Sequence, residues 1–84
     1  MPYYVYIVSC TDGAFYTGYT RNVKARLKQH KLGKGARYLK THKPDKIVYK
    51  EKFASRSEAM KRERAIKRLT HAQKFRLAQS QMKK

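Results

Sequence analysis

One cysteine, Cys10, is all the sequence contains, so intrachain disulfides and Cys-rich zinc sites are excluded, and a reducing compartment is the expected home. Cys10 with His30, His42 and His71 also lacks any spacing that closes a tetrahedral zinc site. Long apolar runs are missing too. No segment approaches the roughly 18 apolar residues of a membrane span, and no helix pattern carries the Trp, Phe and Leu face of an interfacial anchor. The opening Met1-Pro2-Tyr3-Tyr4 lacks the charged leader of an export signal, so a cytoplasmic location is expected. Repeats and linkers are absent, and 84 residues suffice for one domain that buries about 60–65% of its unfolded surface.

Acidic residues are scarce. Five Asp and Glu face 22 Lys and Arg, a formal charge of +17. A compact chain with that imbalance repels itself unless a polyanion neutralises it, and nucleic acid is the polyanion to expect. Hydrophobic residues at 40%, with 12% aromatic, are too many for a disordered basic tail and enough for a sheet packed on helices.

The stretch YYVYIVS at 3–9 is β-branched or aromatic almost throughout, and Thr11-Asp12-Gly13 offers turn chemistry before a second β-prone run, Ala14-Phe15-Tyr16-Thr17. Being apolar on both faces, the first strand is expected at the centre of the sheet. Asn22 is placed to cap a helix from Val23 to Lys31, stopped by Gly33. The basic, Gly-punctuated stretch that follows reads as a loop with a short helix around Ala36 to Lys40. Lys46 to Phe53 gives a third strand with period-two alternation in its second half. Ser55 and Glu58 form a capping-box signature for a helix to about Leu69; Thr70 and Gln73 repeat it for a helix from His71 to Gln81, with Phe75, Ala78 and Met82 as its apolar stripe. The order is ββαβαα, an α+β fold.

Some residues fit these patterns badly. In the first helix, the inward positions set by Val23 and Leu27 are shared by Arg26 and His30. Each alone has an ordinary explanation, an arginine whose stem packs while its head reaches water and a hydrogen-bonded core histidine. Glu63 falls inside the apolar stripe between Ala59 and Ile66 and needs a cation. That cation is either a neighbouring Lys or Arg, or a hard divalent ion such as Mg²⁺, which takes one or two carboxylates and completes its shell with water and phosphate oxygens. Tyr6 and Tyr16 lie on neighbouring strands and stand side by side if register and face agree. Among the seven tyrosines, Tyr3, Tyr4, Tyr38 and Tyr49 are assigned to the core, and Tyr19 fits either class.

Tyr4-Val5-Tyr6, then Tyr16-Thr17-Gly18, then Arg26, His30 and Glu63 together resemble the GIY-YIG nuclease superfamily. With YTGYTRNVKARLKQH and its Lys- and Gly-rich continuation, the chain is similar to the small stand-alone bacterial branch, and that branch to the catalytic domain of structure-specific repair endonucleases. Tyr4 and Thr17 depart from the usual motif residues, and Tyr19 stands where some relatives carry a lysine. The resemblance implies a three-stranded antiparallel sheet flanked by helices and a catalytic set of Tyr6, Tyr16, Arg26, His30 and Glu63, with Glu63 binding one Mg²⁺ or Mn²⁺. It further implies an endonuclease acting on nucleic acid, DNA ahead of RNA. Arg26 then grips the phosphate, and Tyr16 takes a proton from the attacking water, oriented by Tyr6 and His30, unless His30 is itself the base. A free phenol titrates near 10, so Tyr16 needs positive charge from Arg26 and the metal to ionise lower. The competing expectation is a non-catalytic basic nucleic-acid-binding module, for which an inward carboxylate has no use.

Overall fold

The computed structural model describes residues 2–33 and 41–82, the Met82 side chain excepted. Strands β1 (Tyr3–Cys10) and β2 (Phe15–Thr20), helix α1 (Val23–Lys31), strand β3 (Pro44–Phe53) and helices α2 (Arg56–Lys67) and α3 (His71–Met82) follow one another. They form an α+β fold with one antiparallel sheet ordered β2-β1-β3, so the strand that is apolar on both faces is central. The short helix expected at Ala36 to Lys40, Tyr38 and the Met82 side chain lie outside the described residues.

The β1–β2 turn closes as its chemistry dictates: Gly13 takes a positive φ of 89°, and Asp12 Oδ1 accepts from the Ala14 amide at 3.0 Å. Strand β2 runs further than its β-prone run suggested, through Gly18 to Thr20, because Tyr19 and Thr20 still pair with Val5 and Tyr4. Strand β3 begins two residues early, at Pro44, where a missing amide proton costs the ladder nothing. Its register shifts between Ile7 and Val8, so that Tyr49 pairs with Ile7 but Ile47 with Val8, and Val48 is the extra residue of a bulge.

Side-chain alternation along β1 sends Val5 and Ile7 to one face and Tyr6 and Val8 to the other, and all four are at most 2% exposed. The first face packs against Ala59 and Ile66 of α2 and Leu77 of α3. Helix α1 covers the second, with His30 buried against Tyr6. Caps fix where the helices start. Asn22 Oδ1 accepts from Ala25 N at 3.0 Å, Ser55 Oγ from Glu58 N at 3.2 Å and Thr70 Oγ1 from Gln73 N at 3.2 Å. Gln73 returns the bond to the Thr70 amide, whereas the Glu58 carboxylate accepts from the Ser55 hydroxyl instead of its amide. Phe75 is not part of the inward stripe of α3. It is 49% exposed, whereas Ala78 is buried as expected and Leu77 packs on the core in place of Phe75.

Candidate active site

The expected inward stripe of α1 is present residue for residue: Val23, Arg26 and Leu27 are half-buried and His30 is 2% exposed, while the helix positions between them are exposed. His30 Nε2 shares a 2.9 Å hydrogen bond with the Tyr6 hydroxyl, its direction following the histidine tautomer. Tyr6 pairs with Gly18 and Tyr16 with Val8, so the two tyrosines are diagonal neighbours on one face. Their ring centroids are 6.3 Å apart, and the Tyr16 ring meets the His30 ring edge-on at 5.5 Å. Two strands and one helix thus deliver Tyr6, Tyr16 and His30 into one cluster.

Gly18, the last residue of the Tyr16-Thr17-Gly18 motif, is what lets this cluster form. A Cβ there would stand 2.7 Å from the Tyr6 hydroxyl oxygen, 2.9 Å from its Cζ and 3.1 Å from Tyr16 Cε2. Only a bare backbone allows the Tyr6 ring to lie across β2. The signal available in the sequence was Gly18 itself, unexplained inside a β-prone segment.

Helix α2 packs against both β1 and β2, which carries Glu63 to the β2 side of the sheet. There it joins Tyr6, Tyr16 and Arg26 in lining an open cleft of about 350 Å³, together with Tyr3, Tyr19 and Arg21. Four of the five candidate residues therefore share one cavity, and His30 stands behind it through Tyr6. Glu63 is 16% exposed at its side chain and lies 3.7 Å from Lys67 Nζ one turn on. Lys67 is 51% exposed, so this pair is a loose, solvent-screened contact. Glu63 is the sole acidic side chain among the described residues lining the cleft.

Burial, and next the neighbouring Tyr16, push Tyr6 far above the usual phenol range. Tyr16 is raised as well, first by burial and then by Glu63, while Arg26 pulls it down. The arginine acts in the expected direction but is outweighed, so the protein's own groups leave Tyr16 a neutral phenol. Neutralising Glu63 would remove the second-largest cause of that rise.

A protein-built metal cage is not what the cleft offers: among the described residues no three His, Cys, Asp or Glu gather as metal ligands. His42 pairs with Asp12 at 2.5 Å, and His71 bonds the Gly13 carbonyl and stacks on Phe15. One inward carboxylate lining an open cleft does fit a hard cation that keeps most of its water. The three other tyrosines assigned to the core that are described differ in role. Tyr49 is 6% exposed with its hydroxyl on Glu51, Tyr3 packs on the core and accepts from Arg21, and Tyr4 is half-buried. Tyr19 is core at its ring and polar at its tip, where it accepts from Arg56. No helix among the described residues is long and apolar enough to cross a membrane.

A family profile described as the GIY-YIG catalytic domain matches residues 2–76. A UPF0213 protein of Staphylococcus haemolyticus is 53% identical over 75 residues, covering 89% of this chain and 92% of its own length. The solution NMR structure of a UPF0213 protein from Bacillus halodurans is 43% identical with a TM-score of 0.59, covering 94% of this chain and 84% of that one. A second NMR structure, of a protein from E. faecalis, is 38% identical with a TM-score of 0.65, covering all of this chain and 90% of that one.

Proposed function

The chain belongs to the GIY-YIG catalytic-domain family, a family of nucleases, and from that premise we propose that it is a metal-dependent endonuclease that hydrolyses phosphodiester bonds in nucleic acid. The observation that carries the reading is the cleft itself: a carboxylate, an arginine and two buried-edge phenols converge from two helices and two strands in a chain of charge +17. A module that only binds a polyanion gains nothing from directing Glu63 into the place where phosphate would sit, since like charges there cost affinity. DNA stands ahead of RNA as substrate, and repair or recombination as setting, on the likeness to structure-specific repair endonucleases.

Arg26 grips a non-bridging phosphate oxygen, and its planar fork fixes the phosphorus relative to the attacking water. Tyr16, after losing its own proton to solvent, accepts the water proton on its phenolate oxygen as the phosphorus–oxygen bond to the leaving 3′ oxygen breaks, and that oxygen takes a proton from solvent. Tyr6 orients Tyr16 and the water, and His30, bonded behind it, orients Tyr6. Tyr16 is favoured over His30 as the base because Tyr16 lines the cleft, whereas His30 is 2% exposed and committed through Nε2 to Tyr6. Glu63 would hold the divalent ion, Mg²⁺ or Mn²⁺. Bound there, it would supply charge neutralisation at the phosphoryl group and would offset the carboxylate charge that adds to burial in raising Tyr16.

Incubation with supercoiled plasmid, branched DNA and structured RNA, with and without Mg²⁺, tests the reading. Strand breaks should require both the metal and Glu63; tight binding without cleavage of any of the three would convert the assignment to a binding module.

A further inference from the structure

Two arginines beside the cleft are held in a way that general surface charge does not require. Arg21 Nη2 donates to the Tyr3 hydroxyl at 2.7 Å, with its guanidinium carbon 5.0 Å from the Tyr3 ring centre. Arg56 Nε donates to the Tyr19 hydroxyl at 3.1 Å. Tyr19 pairs with Val5, so Tyr3, two residues along β1, is its diagonal neighbour on the same face, and Tyr3 lies close enough to act electrostatically on Arg56. The two phenols that hold these cations therefore stand side by side on one face of the sheet. Among the described residues neither takes part in an ion pair: the acidic partners go to His42, Arg62 and Lys67.

Tying two surface arginines to phenols costs rotamer freedom and gains no ion pair, a cost that an anion bound by both would offset. The phenols do more than hold them. Each hydroxyl accepts from its arginine and keeps its own proton to donate, so both Tyr–Arg pairs offer a phenol O–H and guanidinium N–H groups to the same ligand. Tyr3, Tyr19 and Arg21 line the same cleft as Arg26 and Glu63, while Arg56, which lines a separate surface depression with Ser57 and Lys61, is tied to the cleft through its bond to Tyr19.

We propose that Arg21 and Arg56, positioned by Tyr3 and Tyr19, form a second phosphate-binding subsite that takes the backbone phosphate adjacent to the one seated at Arg26 and Glu63. The subsite rests on the nuclease reading for its neighbour but binds without chemistry. It fixes the strand's register in the cleft, so a substrate needs a phosphate on one particular side of the bond to be cut.

Three thymidine dinucleotides serve as probes, one bearing only the internal phosphate and the others an added 5′- or 3′-terminal phosphate, titrated by NMR into the full chain without divalent metal. In the wild type one of the two terminal phosphates should tighten binding about tenfold, the measure of a charge-assisted fork, and the other far less. Arg21→Gln/Arg56→Gln should bind all three alike. Tyr3→Phe/Tyr19→Phe, which keeps every charge, should lose a substantial part of the same preference, and well-dispersed amide spectra verify that each variant is folded. Equal gains from either terminal phosphate in the wild type, or an undiminished preference in the arginine double variant, would overturn the subsite. Metal-dependent cleavage of a longer strand is scored alongside. No cleavage with the preference intact sinks the nuclease reading alone, and cleavage with a preference indifferent to Arg21 and Arg56 sinks the subsite alone.

Discussion

Gly18→Ala places one methyl group in the space that the candidate site uses. Its carbon would lie 2.7 Å from the Tyr6 hydroxyl oxygen and 2.9 Å from Tyr6 Cζ. Carbon contacts rest at about 3.5–4.0 Å, so the ring must retreat by roughly 0.5–1 Å. Tyr6 has little room to do so, being 2% exposed and tied to His30 at 2.9 Å. Overpacking of this kind costs about 1–3 kcal/mol. In a domain of this size each kcal/mol lowers the melting temperature by about 4–8 °C. Under the proposed mechanism Tyr6 orients the reacting water, so the cleavage rate should fall by about 10²-fold, far beyond what partial unfolding explains. Thermal melts by circular dichroism and single-turnover cleavage measure the two effects. Adding Tyr6→Phe removes the nearest contact and leaves Cζ, so it should restore part of the stability. A Gly18→Ala protein that melts within about 2 °C of wild type and cuts at the wild-type rate would refute the reasoning.

Tyr16→Phe keeps the ring and its packing and removes the proton acceptor, so folding and binding should persist while the rate falls by about 10²-fold or more. Single-turnover pH profiles check this: the wild-type rate should rise with pH, and the rise should move to lower pH as Mg²⁺ saturates, because neutralising Glu63 relieves its upward pull on Tyr16. Near wild-type cutting by Tyr16→Phe beside a dead His30→Ala would transfer the base to His30. Arg26→Lys should be nearly as damaging as Arg26→Ala, since a lysine offers a point charge where a fork is needed; full activity in the lysine variant, measured as kcat/KM, would reduce Arg26 to charge balance. Tyr6, whose folded-state pKa lies well above 10.0, should contribute stability that is complete below about pH 10 and lost as the pH climbs toward the folded value, because the unfolded chain ionises first. Urea unfolding on either side of that pH should therefore show a smaller alkaline loss for Tyr6→Phe than for wild type, and identical losses would contradict it.

Local chemistry explains how much of this was legible beforehand. Caps and turns announce themselves through short side chains that bond their own backbone, so Asn22, Ser55 and Thr70 marked helix starts correctly. The central strand was readable because burial on both faces erases alternation, as Val5 to Val8 show. In α1 a charged residue and a histidine at inward spacing pointed to the site before any geometry was known. Long-range fit was not readable. The bulge at Val48 depends on register against β1, and the passage of β2 through Gly18 depends on a ring from the neighbouring strand. Phe75 misled because it lies on the flank of the face that Ala78 marked correctly; Leu77, on the other flank, packs on the core instead. The rise in Tyr16's pKa likewise comes from burial and Glu63 together, a sum that no motif encodes.

In the proposed site Glu63 faces the cleft to hold a divalent ion against phosphate, and Glu63→Gln removes that charge while keeping the side chain's shape. Single-turnover cleavage by wild type and Glu63→Gln should be compared at saturating Mg²⁺ on one nucleic-acid substrate, with binding measured on the same preparation. The account predicts Mg²⁺-dependent cutting by the wild type, a loss of about 10²-fold or more in the variant, and binding that is equal or tighter once the carboxylate's charge is gone. Equal Mg²⁺-dependent cleavage by the two proteins would contradict it.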